Sequence, residues 1–159
     1  MKPIASQALV RVIPICGRSA TDPLATGYST GAESSDHFIV RNGIEFAGTH
    51  LIVDLWGAEH LDDLERMESA MREAVDVCGA TLLHIHLHHF TPSHGISGVA
   101  VLAESHISVH TWPERSFAAF DIFMCGNARP ELTIPVLENA FKPAKINIAK
   151  QLRGIVDKS

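Results

Sequence analysis

The sequence predicts an α/β (α+β) two-layer sandwich, with a mainly antiparallel sheet and helices packed on one face of it. Three observations lead to this fold class. Apolar and polar residues alternate in several short runs separated by turn residues, which is typical of half-buried strands. Two stretches instead have the apolar spacing of a helix. Strands joined by short turns pair antiparallel, and the inserted helices cover one face of the sheet.

Length and composition indicate one folded domain preceded by an extension. The chain has 159 residues, enough to bury one core and seldom enough for two. Residues 17–36 are rich in Gly, Ser, Thr, Ala and Asp and lack a sustained apolar period. We therefore predict an N-terminal extension over 1–41, with partial disorder left open, and a folded domain over 42–159. Residues 9–13 fit either a short edge strand or a flexible tail with one apolar patch, and we favour the tail.

The elements of the folded domain follow from its periodicities. A first strand is predicted over 49–55. A helix follows, because apolar residues recur at helical spacing from Leu61 to Cys78, carboxylates lie near its start, where the helix dipole favours anions, and Gly79 can end it. Further strands are predicted over 81–88, 98–103, 106–112 and 117–124, a second helix over 134–141 and a last strand over 145–149.

Charge and hydropathy argue against two classes of partner. The formal net charge is −5 at pH 7 and the basic residues are scattered, so a nucleic-acid-binding surface is not expected. No apolar run reaches the length of a membrane span, and the N-terminus lacks the features of a signal peptide. We therefore expect a cytoplasmic protein. Cys16, Cys78 and Cys125 are too few and too dispersed for a disulfide framework, and their odd number leaves at least one free thiol.

The most informative segment begins at Glu104 and ends at Glu114, and a second short segment follows over 121–126. Apolar residues and Thr111 alternate with polar ones in the first segment, which is the period of a half-buried strand with one polar face. A serine, a histidine, a carboxylate and a cysteine therefore lie within about one hairpin's reach of each other. Such a face can hold a functional site.

These two segments closely resemble the self-cleavage and active-site segment of the bacterial and archaeal S-adenosylmethionine decarboxylases, small pyruvoyl-dependent enzymes of polyamine synthesis. Residues 48–53, 79–81, 90–92 and 95–99 resemble other parts of that family, and the match covers roughly Gly43 to the C-terminus. The resemblance implies the same two-layer fold. The chain departs from the family pattern at two places. Ser93 and His94 stand where the family has one aromatic residue, and the first 42 residues have no counterpart that we recognise.

The resemblance implies that the chain cuts itself between Glu104 and Ser105. The Ser105 hydroxyl would attack the Glu104 carbonyl carbon to give an ester, and β-elimination would then leave dehydroalanine, which hydrolyses to a pyruvoyl group and ammonia. His110 matches the base that removes the Ser105 α-proton, and its near-neutral pKa suits that task. Ser97 matches a serine that assists, plausibly by polarising the Glu104 carbonyl. Outside this context, both serines would be read as ordinary strand or turn residues.

The resemblance also implies decarboxylation of S-adenosylmethionine, which yields the aminopropyl donor for spermidine. The pyruvoyl cofactor would act as electron sink after the substrate amine forms a Schiff base with it. Cys125 matches the proton donor, with a buried structural thiol as the alternative. Phe90 and Trp112 match positions that line a nucleoside pocket, with core packing as the alternative. Glu114 would accept hydrogen bonds from ribose hydroxyls, and is otherwise a solvated turn residue.

The resemblance further implies a homodimer of cleaved protomers that share their active sites. Other functions stay open beside this one. The same framework could decarboxylate an amino acid such as arginine or ornithine, with a cation site in place of the nucleoside pocket. A ligand-binding module that keeps the fold without cleavage is the non-enzymatic alternative.

A zinc-dependent enzyme is the main rival. His84, His86 and His88 alternate with apolar residues along one predicted strand, and a His-x-His pair on a strand is a common zinc-ligand spacing. Three residues of a straight strand span more than one ion's coordination sphere, so two could bind together and a distant third ligand would be needed. That ligand could be His50, His106 or His110. We predict no metal.

Overall fold

The computed structural model describes residues 9–14, 37–92 and 94–157. Within them, the elements in chain order are β1 Leu9–Pro14, β2 Ile39–Arg41, β3 Ile44–Phe46, β4 Gly48–Trp56, α1 Leu64–Val77, β5 Leu82–His89, β6 Ile96–Leu102, β7 Ser105–Trp112, a 3-10 turn Pro113–Arg115, β8 Phe117–Cys125, a 3-10 turn Pro130–Leu132, α2 Thr133–Phe141 and β9 Lys145–Arg153.

Seven of these strands form one sheet in the order β1-β9-β4-β8-β7-β6-β5. The described neighbours pair antiparallel, except that β1 runs parallel to β9. The β2 and β3 strands form a separate antiparallel pair. The predicted two-layer α+β sandwich with a mainly antiparallel sheet is therefore confirmed.

The helices pack on one face of the sheet because both are amphipathic. Every second residue of the central strands points to them and is buried, as in the run Ile107, Val109 and Thr111 of β7. The helix α1 begins after Leu61, the predicted start, because the Asp63 side chain accepts a hydrogen bond from the Arg66 backbone N–H (3.0 Å) and caps the helix there. The buried residues of α1, spaced by one helical turn, are Met67, Ala70, Met71, Ala74 and Val75.

The other face of the sheet, called here the open face, carries no helix in the described ranges. Its side chains are half-buried or exposed, and they alternate with the buried ones along each strand. Many of these side chains are polar or aromatic, whereas the face that packs on the helices is mainly aliphatic. The open-face residues used below are His50, Asp54, Ser97, His106, Ser108, His110, Trp112, Phe117, Asp121, Phe123 and Cys125.

The favoured interpretation of residues 9–13 as a tail was wrong. They lie within β1, which pairs with β9 from Leu9 opposite Lys145 to Pro14 opposite Lys150. A bare edge strand leaves backbone donors and acceptors unpaired, and the added strand satisfies them. Apart from β1 and residues 37–41, the predicted extension falls outside the described residues. The β2–β3 pair crosses the predicted boundary at residue 41, and that boundary stays a prediction.

No helix in the described part of the chain is long and apolar enough to cross a membrane. The cytoplasmic location expected from the sequence stays a prediction.

Candidate active site

The eight residues singled out in the sequence fall into two groups at opposite ends of β7. Five residue steps separate Ser105, which begins this strand, from His110. At a strand rise of about 3.4 Å per residue, the two Cα atoms lie about 17 Å apart. The first group, called the serine end, is Glu104, Ser105 and Cys125, and the second, called the pocket end, is Phe90, Ser97, His110, Trp112 and Glu114.

At the serine end, Ser105 has an unusual backbone. Its φ is +149°, in the region that favours glycine and costs other residues on the order of 1–3 kcal/mol. Such a conformation persists only where neighbouring groups hold it. One neighbour is the ring of His106, because Nδ1 of that histidine lies 3.1 Å from the Ser105 Oγ and shares a hydrogen bond with it.

Glu104, the residue before Ser105, is held by three hydrogen bonds. Its backbone carbonyl accepts from the N–H of Cys125 at 3.1 Å. Its carboxylate accepts from the Thr81 N–H at 2.8 Å and from the Thr81 hydroxyl at 3.2 Å. The peptide bond between Glu104 and Ser105 is therefore fixed, and its carbonyl is polarised by a backbone donor. Ser97 lies at the other end of β7, so any contact of Ser97 with a Glu104 carbonyl needs a second protomer.

At the pocket end, a cleft of about 380 Å³ opens on the sheet. It is lined by Phe90, Gly95, Ser97, His110, Thr111, Trp112 and Glu114. Ser97 lies directly opposite His110 on the neighbouring strand, and Ser97 Oγ lies 2.7 Å from His110 Nδ1, within hydrogen-bond distance. The structure thus places Phe90, Trp112 and Glu114, which the resemblance assigns to the substrate, around one cavity with Ser97 and His110, which it assigns to processing at Ser105.

The floor of this cleft is fixed by Thr111. Its buried hydroxyl donates to the Leu61 carbonyl at 2.9 Å and accepts from the Ile96 N–H at 2.8 Å. Gly95 packs closely on the same strand, because a Cβ at this position would lie 2.8 Å from the Thr111 carbonyl oxygen. These contacts hold Gly95 and Ile96 close to β7, at the end of the loop that begins at Phe90.

Two aromatic side chains line the cleft and stay accessible. Phe90 is 43% exposed and Trp112 is 40% exposed, so the core-packing alternative is wrong for both. Trp112 stacks on Phe117 with ring centroids 5.3 Å apart, and Phe117 in turn packs on Trp56 at 4.3 Å. The accessible rings offer flat apolar surfaces to a ligand.

Charged side chains occupy the open face between the two ends. Arg153 donates to Nδ1 of His50 at 3.3 Å. Nε2 of His50 lies 3.3 Å from a carboxylate oxygen of Asp121 and is buried without a hydrogen bond. Burial, and then the negative charge of Asp121, raise the pKa of Asp54. In one protomer, His50 and Asp54 are therefore partly shielded from water, whereas Arg153 is exposed.

The zinc alternative depends on the histidines of β5. His84, His86 and His88 are exposed along the strand. In the ranges that the structure describes, no three His, Cys, Asp or Glu side chains come together as ligands of one ion.

Two residues at the serine end were assigned no role there from the sequence. Thr81 was placed at the start of a predicted strand, and His106 was placed in the next-but-one strand and named as a possible zinc ligand. The signal for His106 was its place next to Ser105. Thr81 could be found only from the sheet, where the start of β5 lies beside the turn between β6 and β7.

Comparisons with known proteins identify relatives of this chain. The family model described as S-adenosylmethionine decarboxylase matches residues 49–154. The S-adenosylmethionine decarboxylase proenzyme of Methanococcus vannielii is 51% identical over 113 residues, which cover 69% of this chain and 92% of that protein. The proenzyme of Thermomicrobium roseum is 44% identical over 110 residues, covering 69% and 95%. A crystal structure of the adenosylmethionine decarboxylase from Aquifex aeolicus matches with a TM-score of 0.63 and 32% identity, over 72% of this chain and 96% of that one.

The two described cysteines should differ sharply in reactivity. Burial, and then the charge of Glu131, raise the pKa of Cys78 to about 12, so only about one molecule in 10⁴ carries this thiolate at pH 8. Cys125 is half-buried on the open face. Iodoacetamide should therefore modify Cys125 in the native protein and Cys78 only after unfolding in guanidinium, as read by peptide mass mapping. Equal labelling of both in the native protein would contradict this assignment.

Proposed function

The chain belongs to the S-adenosylmethionine decarboxylase family, and on that premise we propose that it makes a pyruvoyl group from Ser105 and uses it to decarboxylate S-adenosylmethionine. The relatives are named as proenzymes, so the family consists of carboxy-lyases that are made as precursors. The observation that carries the proposal is the Glu104–Ser105 peptide bond, which is held by hydrogen bonds on one side and strained on the other.

The residues around Ser105 fit a pyruvoyl group at this position. Three hydrogen bonds hold the Glu104 side of the bond, so that side keeps its place after the chain is cut. The Cys125 thiol lies on the adjacent strand, half-buried on the open face, where it can give a proton to a bound substrate. When present, the pyruvoyl group supplies the electron sink that decarboxylation needs.

The first step of processing needs a polarised carbonyl and a positioned hydroxyl. When Ser105 Oγ attacks the Glu104 carbonyl carbon, negative charge develops on the carbonyl oxygen. The Cys125 N–H already points at that oxygen from 3.1 Å, as in an oxyanion hole, where a preset donor stabilises the transition state. Breaking the peptide bond also frees Ser105 from its positive φ. Both effects favour the ester.

The second step removes the Ser105 α-proton, and the base that the family pattern assigns to it is out of reach within one chain. His110 is the family's candidate base, but about 17 Å of strand separates it from Ser105 in the same protomer. We therefore propose a homodimer in which the serine end of each protomer meets the pocket end of the other. Two-fold symmetry then completes two equal sites. The half-buried charges of the open face support this face as the interface.

The pocket end suits a nucleoside. The exposed rings of Phe90 and Trp112 can stack on a purine. Glu114 lines the same cleft of about 380 Å³ and can accept hydrogen bonds from both ribose hydroxyls. Paired aromatic surfaces are of less use to arginine or ornithine, so S-adenosylmethionine is the substrate that this cleft favours.

Self-cleavage is tested by the intact mass of freshly purified protein. The wild-type chain should give two fragments, and the one beginning at residue 105 should resist Edman degradation because its amino group is lost. Ser105→Ala should remain one folded chain without activity, since it removes the nucleophilic hydroxyl and adds no bulk. The matched control is Ser108→Ala on the same strand, which should still be cut. A wild-type chain that stays whole after long incubation would rule out the proposed processing.

Substrate choice is tested at Glu114. A carboxylate that pairs with two hydroxyls contributes about 1–3 kcal/mol, so Glu114→Gln should lower kcat/KM for S-adenosylmethionine about 5- to 150-fold. Chain cleavage should be unaffected, because Glu114 is neither the nucleophile nor a base in the proposed cleavage reaction. The assay is carbon dioxide release from S-adenosylmethionine, arginine and ornithine supplied separately. Glu73→Gln, on the exposed face of α1, is the control. A wild-type preference for either amino acid would overturn the substrate assignment.

A further inference from the structure

We propose that His106 is the base that activates Ser105 in the first step of self-cleavage, so that processing uses two different histidines in turn. This inference rests on the proposed function. It starts from one contact, because Nδ1 of His106 lies 3.1 Å from the hydroxyl oxygen of Ser105. His110 of the same chain is at the other end of the strand, and its Nδ1 lies within hydrogen-bond distance of Ser97.

The contact between Ser105 and His106 is unusual for neighbours in a strand. Successive side chains of a strand point to opposite faces, so adjacent residues normally do not meet. The positive φ of Ser105, +149°, breaks this alternation at the first residue of β7. The strained backbone of Ser105 therefore turns its hydroxyl toward the His106 ring, where the hydrogen bond forms.

The ring of His106 is itself held in place. Phe123 lies opposite it on the adjacent strand, with the ring centroids 6.1 Å apart in an edge-on arrangement. Phe123 in turn contacts the ring of His50 at 5.7 Å and the guanidinium of Arg153 at 5.7 Å. A ring confined in this way keeps one nitrogen directed at the serine. Nδ1 can accept the hydroxyl proton when the ring's own proton is on Nε2.

His106 can both take up and return the one proton that this step moves. Nδ1 of His106 takes the hydroxyl proton as Ser105 Oγ forms its bond to the Glu104 carbonyl carbon. The imidazolium then returns this proton to the backbone nitrogen of Ser105 as the carbon–nitrogen bond breaks. The products are an ester and a free amine, and His106 is neutral again. No co-reactant is needed, and a single histidine serves as base and then as acid.

The test follows cleavage after a short pulse of cell-free synthesis of the full chain. His106→Phe keeps an aromatic ring against Phe123 and removes the base. It should slow cleavage by at least about 10²-fold, in line with the usual contribution of a general base. His84→Phe, in the same row across the sheet, should be cut at the wild-type rate. Thermal unfolding of each variant checks that the fold is kept.

Mild hydroxylamine treatment separates the two steps, because it cuts an ester much faster than a peptide bond. Intact mass distinguishes a cut after Glu104 from a cut at Asn42–Gly43, a bond type that hydroxylamine can also break. In His110→Phe the ester should accumulate, and hydroxylamine should release the fragment that ends at Glu104. In His106→Phe the ester should not form, and hydroxylamine should release no fragment that ends at Glu104. Adding imidazole to His106→Ala should restore part of the cleavage, which a purely structural role for the ring would not allow.

The possible results distinguish a failure of the role of His106 from a failure of the proposed function. Wild-type rates in His106→Phe, or fragments released from it by hydroxylamine as readily as from His110→Phe, would overturn the role of His106 and leave the proposed function standing. A wild-type chain that is never cut would instead defeat the proposed function itself.

Discussion

The rise of a single β-strand is the constraint on which the rest of the site depends. β7 is hydrogen-bonded on both sides along its length, so the separation of about 17 Å between Ser105 and His110 cannot close by local movement. One chain therefore contains both the serine end and the pocket end but cannot bring them into contact with each other. A second copy turned by a two-fold axis can supply each missing end. The open, polar face of the sheet is the surface on which this pairing can occur.

The serine end combines strain with fixed electrostatics. Ser105 adopts a backbone that non-glycine residues avoid, and three hydrogen bonds to Glu104 keep the chain from relaxing. The same arrangement aims a backbone N–H at the oxygen on which charge would develop. Strain and polarisation thus act on one peptide bond. Because they come from the sheet itself, the fold and the reactivity of this bond cannot be separated.

The sequence predicted local features well and long-range ones poorly. Alternation along β7 gave the sheet face correctly. Phe90, Trp112 and Glu114 line one cleft, but Ser97 and His110, which the resemblance assigns to processing at Ser105, line the same cleft. Local patterns could not give the contact of Thr81 with Glu104, because it depends on pairing between distant strands. The parallel pairing of β1 with β9 was missed for the same reason. The positive φ of Ser105 was also hidden, since no residue preference signals strain imposed by tertiary contacts.

The claim that two chains complete each site is tested most directly by producing two inactive variants together. Ser105→Ala lacks the nucleophile of the serine end, and His110→Ala lacks the base of the pocket end. Each should remain uncut alone. In mixed dimers, one site combines an intact Ser105 with an intact His110, so the His110→Ala chains should be cut, as intact mass would show. If His110→Ala chains remain whole in purified mixed dimers, or are cut without a partner, the shared site is contradicted.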